Sequence, residues 1–561
     1  MEYVCPKQLH GLNDHTLIWG ATGAGKSRGF VKPFLIKVAQ RGESVVLVDS
    51  KGELYEATAQ YFRDKGYLVR QYNLLDLENS DGFNCIYDIE RDPDLVRTVA
   101  EIIITNTSNA KDRQNFWETA EKNLLTSMLY YMGSATDQNG KLLPIEKRSL
   151  GAIYNMLASE RFSAIAEKID ALPPGHPARA PFDLIRETPV QNRANIVMGL
   201  GNRLGVFQNK LVDCITKYND IDLTMPGQRP CIYYCVISDQ DSSLEFLSSM
   251  FFSLLFFRLT DYARHHGTNG QLPVKVNVCL EEFCNIGYLG ASFLKVISVI
   301  RSRNVAVQII VQGAAQLSGR YPQKEWEEIV GACDWQIFLG CNDLMTAEYI
   351  SKRCGTITVR TDSNQMPQQP LFSPVYNSTR PYSITRSATQ RLLMMPDEIM
   401  QLDNKECLIL IRGRRPLRLR KIIVEEMPEY PALKPCRVVE HIPAWREAEA
   451  ELERKRQAEI AAKAATPTIG ASPTADRKRI PRPNPECTGQ QTVIGWKYGQ
   501  EAEPVQEQTA LFIPGESEES PGSAKTKTKQ ADDDVIFADT LLELEGNLID
   551  LQRKIGHRDD K

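Results

Sequence analysis

The sequence has little histidine, no CxxC pair, no long apolar run and almost no net charge. Each shortage removes a class of protein. Seven histidines in 561 residues, none at HxxxH or similar spacing, supply no nitrogen ligand set for zinc. The 13 cysteines include Cys231 and Cys235, Cys279 and Cys284, and Cys333 and Cys341, and several sit inside apolar runs, as buried thiols do. That usage points to a reducing cytosol rather than a disulfide scaffold. The longest aromatic–aliphatic run, Met250 to Phe257, ends at Arg258, far short of the ~20 residues that span a bilayer. No signal peptide opens the chain, which reads as soluble. A net charge of −4 excludes coating nucleic acid by bulk positive charge, so any such contact must be local. What is there, 42% hydrophobic and 25% charged residues, is enough for large cores, and the length predicts three to four domains.

Strand and helix patterns alternate over the first 90 residues. His15–Gly20, Ser44–Asp49 and Tyr67–Tyr72 read as buried strands, with helices from about Lys26 and over Leu54–Lys65. Such alternation predicts an α/β fold with a parallel sheet covered on both faces. From Asp92 to Tyr218 strands give way to helical periodicity, at Leu95–Ile104, Asn115–Met132, Ser149–Leu157, Ile165–Ala171 and Gln191–Leu204, with a Pro/Gly break at Leu172–Pro181. Strands return at Pro230–Ile237, Val274–Leu280, Val305–Val311 and Trp335–Leu339. Ser363–Arg386 is expected to be an exposed loop, and Cys407–Arg412 with Leu417–Val424 a closing hairpin. The organisation is therefore a nucleotide-binding domain in two parts, 1–92 and 226–440, an all-helical insertion at 93–225, and a tail at 441–561.

The tail is the acidic part, with 17 basic against 22 acidic residues; the rest of the chain has 50 against 49. Ala444–Ala465 reads as a charged helix without an apolar face. Residues 466–528 are rich in Pro, Ser, Thr and Glu and are expected to be disordered. Asp533–Ile555 regains an amphipathic stripe that either folds back on the chain or docks a partner.

One motif carries chemistry outright. Gly20, Ala21, Thr22, Gly23, Ala24, Gly25, Lys26 and Ser27 fit GxxxxGK[ST] between a strand and a helix. Glycines let successive backbone N–H groups turn inward around phosphates, Lys26 can reach the outer phosphates, and the Ser27 hydroxyl can bind Mg²⁺. Placed elsewhere, the same residues would be a Gly-rich turn with a solvated lysine. A second acidic site is supplied by Glu281 and Glu282, which end the apolar strand Val276–Leu280. There Glu281 would hold the metal shell and Glu282 would polarise the attacking water. Asp49 also ends a strand and suits either the nucleotide or a helix cap. Gln312 emerges from the strand Val305–Val311 as a γ-phosphate sensor or a plain strand-end glutamine. Arg301 and Arg303 are each either a finger reaching a neighbour's nucleotide or a surface arginine.

The order of these pieces resembles the TraG/TraD-type coupling proteins of type IV secretion and conjugation. It is carried by the phosphate loop, Asp49–Leu54, Asn115–Ala120, Leu280–Phe283, Val311–Leu317, Leu339–Asp343, Thr346–Ile350 and Ile411–Pro416, and covers about residues 12–425. The resemblance implies a hexameric RecA-like ATPase at the cytoplasmic face of the inner or plasma membrane, using ATP and Mg²⁺. Its expected partners are single-stranded DNA, relaxase and relaxosome proteins, and the secretion channel with its ATPases. It also implies that Arg301, eleven residues before Gln312, is the trans-acting finger, and that the insertion lines the DNA entrance. Arg186, Arg193 and Arg203 of the insertion are candidates for DNA contact or for salt bridges.

Two features depart from the family. Glu281 stands where an Asp is usual, and only 19 residues precede Gly20 where transmembrane helices are usual. Membrane attachment is then expected through a segment absent from this chain or through partners. The rival readings are an FtsK/HerA-like DNA pump and a receptor or adaptor whose phosphate loop binds nucleotide without turnover.

Overall fold

The apolar runs become the middle of one sheet. In the computed structural model, which describes residues 11–108, 116–137, 139–238, 241–365 and 383–465, nine strands join in the order β11-β10-β7-β1-β6-β5-β2-β4-β3. They are β1 (Thr16–Gly20), β2 (Ser44–Asp49), β3 (Leu68–Asn73), β4 (Cys231–Val236), β5 (Val276–Leu280), β6 (Val305–Val311), β7 (Trp335–Gly340), β10 (Glu406–Ile411) and β11 (Leu417–Arg420). The first seven run parallel, and β10 and β11 close the edge as the antiparallel hairpin read from the sequence. Strands β2, β4, β5 and β6 are buried at every residue, as strands covered on both faces must be.

Two apolar layers cover the sheet. One face carries α1 (Lys32–Arg41) and α2 (Glu53–Asp64), which bury Leu35, Val38, Leu54 and Phe62 against β1, β2 and β4. The other face carries the helix Glu245–His266, which contains the Met250–Phe257 run. That run is apolar on all sides because the helix is buried on nearly all sides. No helix among the described residues is long and apolar enough to cross a membrane. Among the described residues, the eight α-helices from Cys85–Arg91 to Lys210–Lys217, inserted between β3 and β4, extend this second core. A buried pair, Arg258 with Asp88 at 3.1 Å, fastens them to the long helix. The eleven described cysteines are all free and ten of them are buried.

The structure corrects the sequence reading in three places. Ser363–Arg386 is not wholly a loop, because β8 (Thr356–Gln365) and β9 (Ser383–Leu392) pair as an antiparallel ribbon that enters it from both ends. Its Thr, Ile and Val residues suit a pleated backbone, but the ribbon is exposed on both faces and so lacks the alternation that marks a half-buried strand. The helix expected from Lys26 begins instead as one wide turn, Ser27–Val31, before α1. The break at Leu172–Pro181 is shorter than expected, since a helix starts at Arg179.

The chain after β11 returns across the molecule. The Cys436 N–H donates to Glu56 O at 2.9 Å, and Trp445 Nε1 donates to Ser80 O at 2.6 Å while stacking on Tyr218. The helix Ala444–Ala465 is held at its first turn by the buried Trp445 and one turn on by polar contacts, with Glu449 accepting from Lys217 and from the Tyr218 hydroxyl. The expected disordered stretch and the stripe at Asp533–Ile555 lie outside the described residues.

His15 pins the start of β1. Its Nδ1 accepts the Val307 N–H of β6 at 3.0 Å, which requires a neutral ring, and burial pushes its pKa down to about 4. The unfolded chain takes up this proton below about pH 6.5 and the folded chain does not. The stabilisation is therefore complete above pH 6.5 and is lost as pH falls towards 4, reaching about 2 kcal/mol of loss by pH 5. Urea unfolding at pH 7.5 and pH 5.0 should show His15→Gln losing about 2 kcal/mol less than the parent on acidification. Equal losses would show that this ring is not the acid-sensitive group.

Candidate nucleotide site

The loop after β1 is shaped by its glycines. A Cβ on Gly20 would lie 2.9 Å from Cγ of Lys26, so only glycine lets the lysine fold back over the strand end. Gly23 and Gly25 take φ of +83° and +80°, in the left-handed region where other residues are strained. The Ala21 N–H is anchored to Gly340 O of β7 at 3.0 Å, and the Ala24 N–H to Ala21 O at 3.1 Å. Thr22 and Gly23 form the exposed lip of a cleft of about 330 Å³.

The sheet order brings the remaining predicted residues to this loop. Because β6 lies between β1 and β5, their ends converge. Lys26 Nζ meets Glu282 Oε1 at 2.7 Å, Gln312 Nε2 donates to Glu282 Oε2 at 2.9 Å, and Ser27 Oγ donates to Glu281 Oε1 at 2.8 Å. Glu282 has a φ of +51°, uncommon for a non-glycine residue. That turn sends the two adjacent carboxylates to different partners. Glu281 is 5% exposed, and burial pushes its carboxyl up to about 7, opposed by the Ser27 hydrogen bond. A hydroxyl and a carboxylate facing one cleft are hard oxygen donors of the kind Mg²⁺ selects. The longer side chain at 281 does not carry its carboxylate out of reach of Ser27.

Asp49 caps a helix. Its Oδ2 accepts from the N–H groups of Leu54 and Tyr55 at 3.0 and 2.9 Å, the first-turn donors of α2, while the residue also lines the cleft. Burial raises its pKa to about 6. Arg301 and Arg303 are not at the site. They sit before β6, at the opposite end of that strand from Gln312, and donate to Gly11 O and Gly270 O. Two of the insertion's three candidate arginines are in ion pairs: Arg186 with Asp170 and Asp183, and Arg203 with Glu121 and Glu118. Arg193 donates to Thr188 O and lies over the Phe162 ring. Phe116 and Trp117, which carry part of the family resemblance, stand exposed and edge-to-face.

One residue at the loop was missed. Lys421 is 8% exposed, and its Nζ donates to Ala24 O at 3.0 Å, Leu339 O at 2.7 Å and Asn404 Oδ1 at 3.2 Å. A signal existed: Leu417, Leu419 and Lys421 share the inward face of a period-two pattern.

A parallel sheet with a phosphate loop at its first strand and paired carboxylates two strands away defines a P-loop protein of the RecA-like class. The chain belongs to the family of type IV secretory system conjugative DNA transfer proteins, which it matches over residues 4–440. It is 26% identical over 424 residues to the protein VirD4 of Rhizobium radiobacter, covering 74% of this chain and 57% of that one. It is 22% identical over 441 residues to the conjugal transfer protein TraG of the same organism, covering 73% and 62%. The chain thus spans about 57% of the length of that VirD4 relative. In fold it is similar to the bacterial conjugative coupling protein TrwB, with TM-score 0.55, 16% identity, and coverage of 74% of this chain and 87% of that one. TrwB structures exist with the ATP analogue ADPNP and with ADP and Mg²⁺; these match with TM-scores of 0.54 and 0.53, each at 16% identity and covering 73% of this chain and 85% of that one.

The capping role of Asp49 is measurable. Asp49→Ala should destabilise the chain by about 1–2 kcal/mol through loss of the cap, and Asp49→Asn, which keeps an acceptor, should cost less than half of that. Urea midpoints compared at pH 7.5 check it, and equal losses for the two variants would exclude capping as the cause.

Proposed function

We propose that this chain is an ATP-hydrolysing coupling protein of a type IV secretion or conjugation system, feeding single-stranded DNA with its relaxase to a membrane channel. The observation that carries this reading is the convergence of Lys26, Ser27, Glu281, Glu282 and Gln312 on one cleft. In this reading Gly20 to Ser27 cradle the phosphates of ATP, and Lys26 neutralises charge on the outer ones. Ser27 and Glu281 hold Mg²⁺, which when bound offsets charge building up on the phosphates. Glu282 orients the attacking water and accepts its proton. Gln312 holds the Glu282 carboxylate by the hydrogen bond it already makes.

The reading extends to assembly. Arg301, exposed and distant from its own chain's cleft, reaches a neighbour's nucleotide in a hexameric ring. The parts 1–92 and 226–440 form the motor, and the helices of 93–225 face the DNA entrance. Relaxosome proteins and the channel with its ATPases are the partners, at the cytoplasmic face of the membrane, reached through partners or a segment outside this chain. A ring requires only a few basic side chains facing its pore, so near-neutral net charge is no obstacle.

Phosphate release measured with and without single-stranded DNA is the direct test. Lys26→Ala should abolish turnover without unfolding the chain, while Glu282→Gln should bind ATP yet release phosphate on the order of 10²–10⁴ more slowly. Normal turnover by Glu282→Gln would remove it as the base. Arg301→Ala should be inactive by on the order of 10³–10⁵, and mixing it with Lys26→Ala subunits should restore part of the rate. A mixture as inactive as its components would count against an intersubunit site.

A further inference from the structure

The back of the phosphate loop is held by a side chain 395 positions beyond the loop's lysine (Lys26 to Lys421). Lys421 follows β11, and its ammonium is buried among neutral oxygens, satisfying its three N–H groups on Ala24 O, Leu339 O and Asn404 Oδ1. Burying an ammonium with no carboxylate among its hydrogen-bond partners is costly and needs a compensating set of acceptors. The acceptors here are informative, because two of them set the geometry of the loop.

Ala24 O belongs to the peptide that links Ala24 to Gly25. In a trans peptide the carbonyl and the following N–H point in opposite directions, and the described residues contain no cis bond. A carbonyl drawn back onto Lys421 therefore turns the Gly25 N–H the other way. Gly25 lines the cleft and Ala24 does not. With φ of +80° at Gly25, this peptide has little steric hindrance to flipping. A flipped peptide would aim a carbonyl oxygen at an anion. The same ammonium holds Leu339 O, next to the Gly340 carbonyl that receives the Ala21 N–H. Both sides of the loop are thus referenced to the end of β7. Four residues on, Glu425 pairs with Arg28 at 2.7 Å, so this segment also grips the turn after Ser27.

We propose that Lys421 is a positioning residue of the phosphate loop, fixing the Ala24–Gly25 peptide so that the Gly25 N–H faces the phosphates of a bound nucleotide. The proposal rests on the nucleotide-binding reading above. It assigns to the closing hairpin a part in ligand affinity, beyond capping the sheet edge.

The test is fluorescence titration of the full chain with mant-ADP, followed by competition with unlabelled ADP and AMP. Lys421→Met, which keeps the length and removes the donors, should weaken ADP binding about tenfold, the scale of one charge-assisted hydrogen bond. AMP, with one phosphate, should lose less than threefold, and Lys421→Arg should recover part of the ADP affinity. Thermal melting without nucleotide controls for folding. Unchanged ADP affinity, or equal losses for ADP and AMP, overturns the proposal. Should Lys421→Met fail to fold, Asn404→Ala decides, because Asn404 is exposed and its side chain accepts from Lys421. A two- to threefold loss of ADP affinity is expected there, and no loss overturns the proposal. Lys26→Ala marks full loss of phosphate binding. A parent chain that binds no mant-ADP would sink the nucleotide reading itself, whereas a parent that binds and a Lys421→Met that binds equally well sinks only this one.

Discussion

The contact between Lys26 and Glu282, 256 residues apart in sequence and 2.7 Å apart in space, is the constraint on which the site depends. Both side chains are nearly buried, at 10% and 13% exposure, where an unpaired charge would be expensive. Each satisfies the other, and Gln312 satisfies the second Glu282 oxygen. This arrangement is possible only because β6 separates β1 from β5, so that three carboxyl-terminal strand ends meet at one edge. Parallel strands with crossover helices place every such end on the same side of the sheet. The topology thus does the chemical assembly, and the side chains need only modest reach. An anion entering the cleft must compete with Glu282 for Lys26. Nucleotide occupancy and the freedom of the Glu282 carboxylate are therefore coupled by one ion pair.

The paired carboxylates show how two neighbouring residues of one type acquire different environments. Glu281 continues the buried line of β5 and is driven towards its neutral form by desolvation. Glu282 turns out of that line through a left-handed backbone and meets a cation and an amide. Strain of this kind persists only where the surroundings over-determine it. Here Phe283 is buried in the helical core, and the Asn285 N–H returns to Glu282 O at 2.7 Å, so the turn is held from both sides. The helical residues between β3 and β4 share that core. Asn106 bonds to the Tyr288 backbone at both its N–H and its carbonyl, so the loop after Glu282 is also tied to the helix Leu95–Thr107.

Much of this was legible in the sequence because it rests on patterns that burial imposes. Val45–Val48 is an apolar stretch bounded by Ser44 and Asp49, and Val305–Val311 is apolar but for Gln308; both are strands buried on both faces. The phosphate loop is legible because few alternatives explain glycine at 20, 23 and 25 before a lysine. What was not legible depends on distance in space. Asp49 looked equally suited to a nucleotide or a cap, and only the position of α2 over the strand end shows that it caps. Arg203 suits DNA contact or a salt bridge equally in the sequence, and only the packing of Val190–Arg203 against Phe116–Ser134 places two glutamates beside it. The inner ends of the β8–β9 ribbon, Ser363–Gln365 and Ser383–Arg386, read as loop in the sequence because an element exposed on both faces carries no hydrophobic period. Lys421 is hard to read because a lysine is expected outside, although its register puts it inside.

Strand β6 gives the geometry its last consequence. It is buried at all seven residues, Val305 to Val311, and carries Gln312 at one end and the Arg301–Arg303 turn at the other. At about 3.3 Å per residue these groups stand roughly 23 Å apart, so neither arginine can serve its own chain's cleft. Close packing on both faces prevents the strand from bending independently of its neighbours. A displacement at the Gln312 end would then reach the arginine end as movement of a rigid element. In the proposed ring, one end of β6 would carry the glutamine that holds Glu282 and the other the arginine that would reach the next subunit. The order in which subunits fire would then be carried by the stiffness of a single strand.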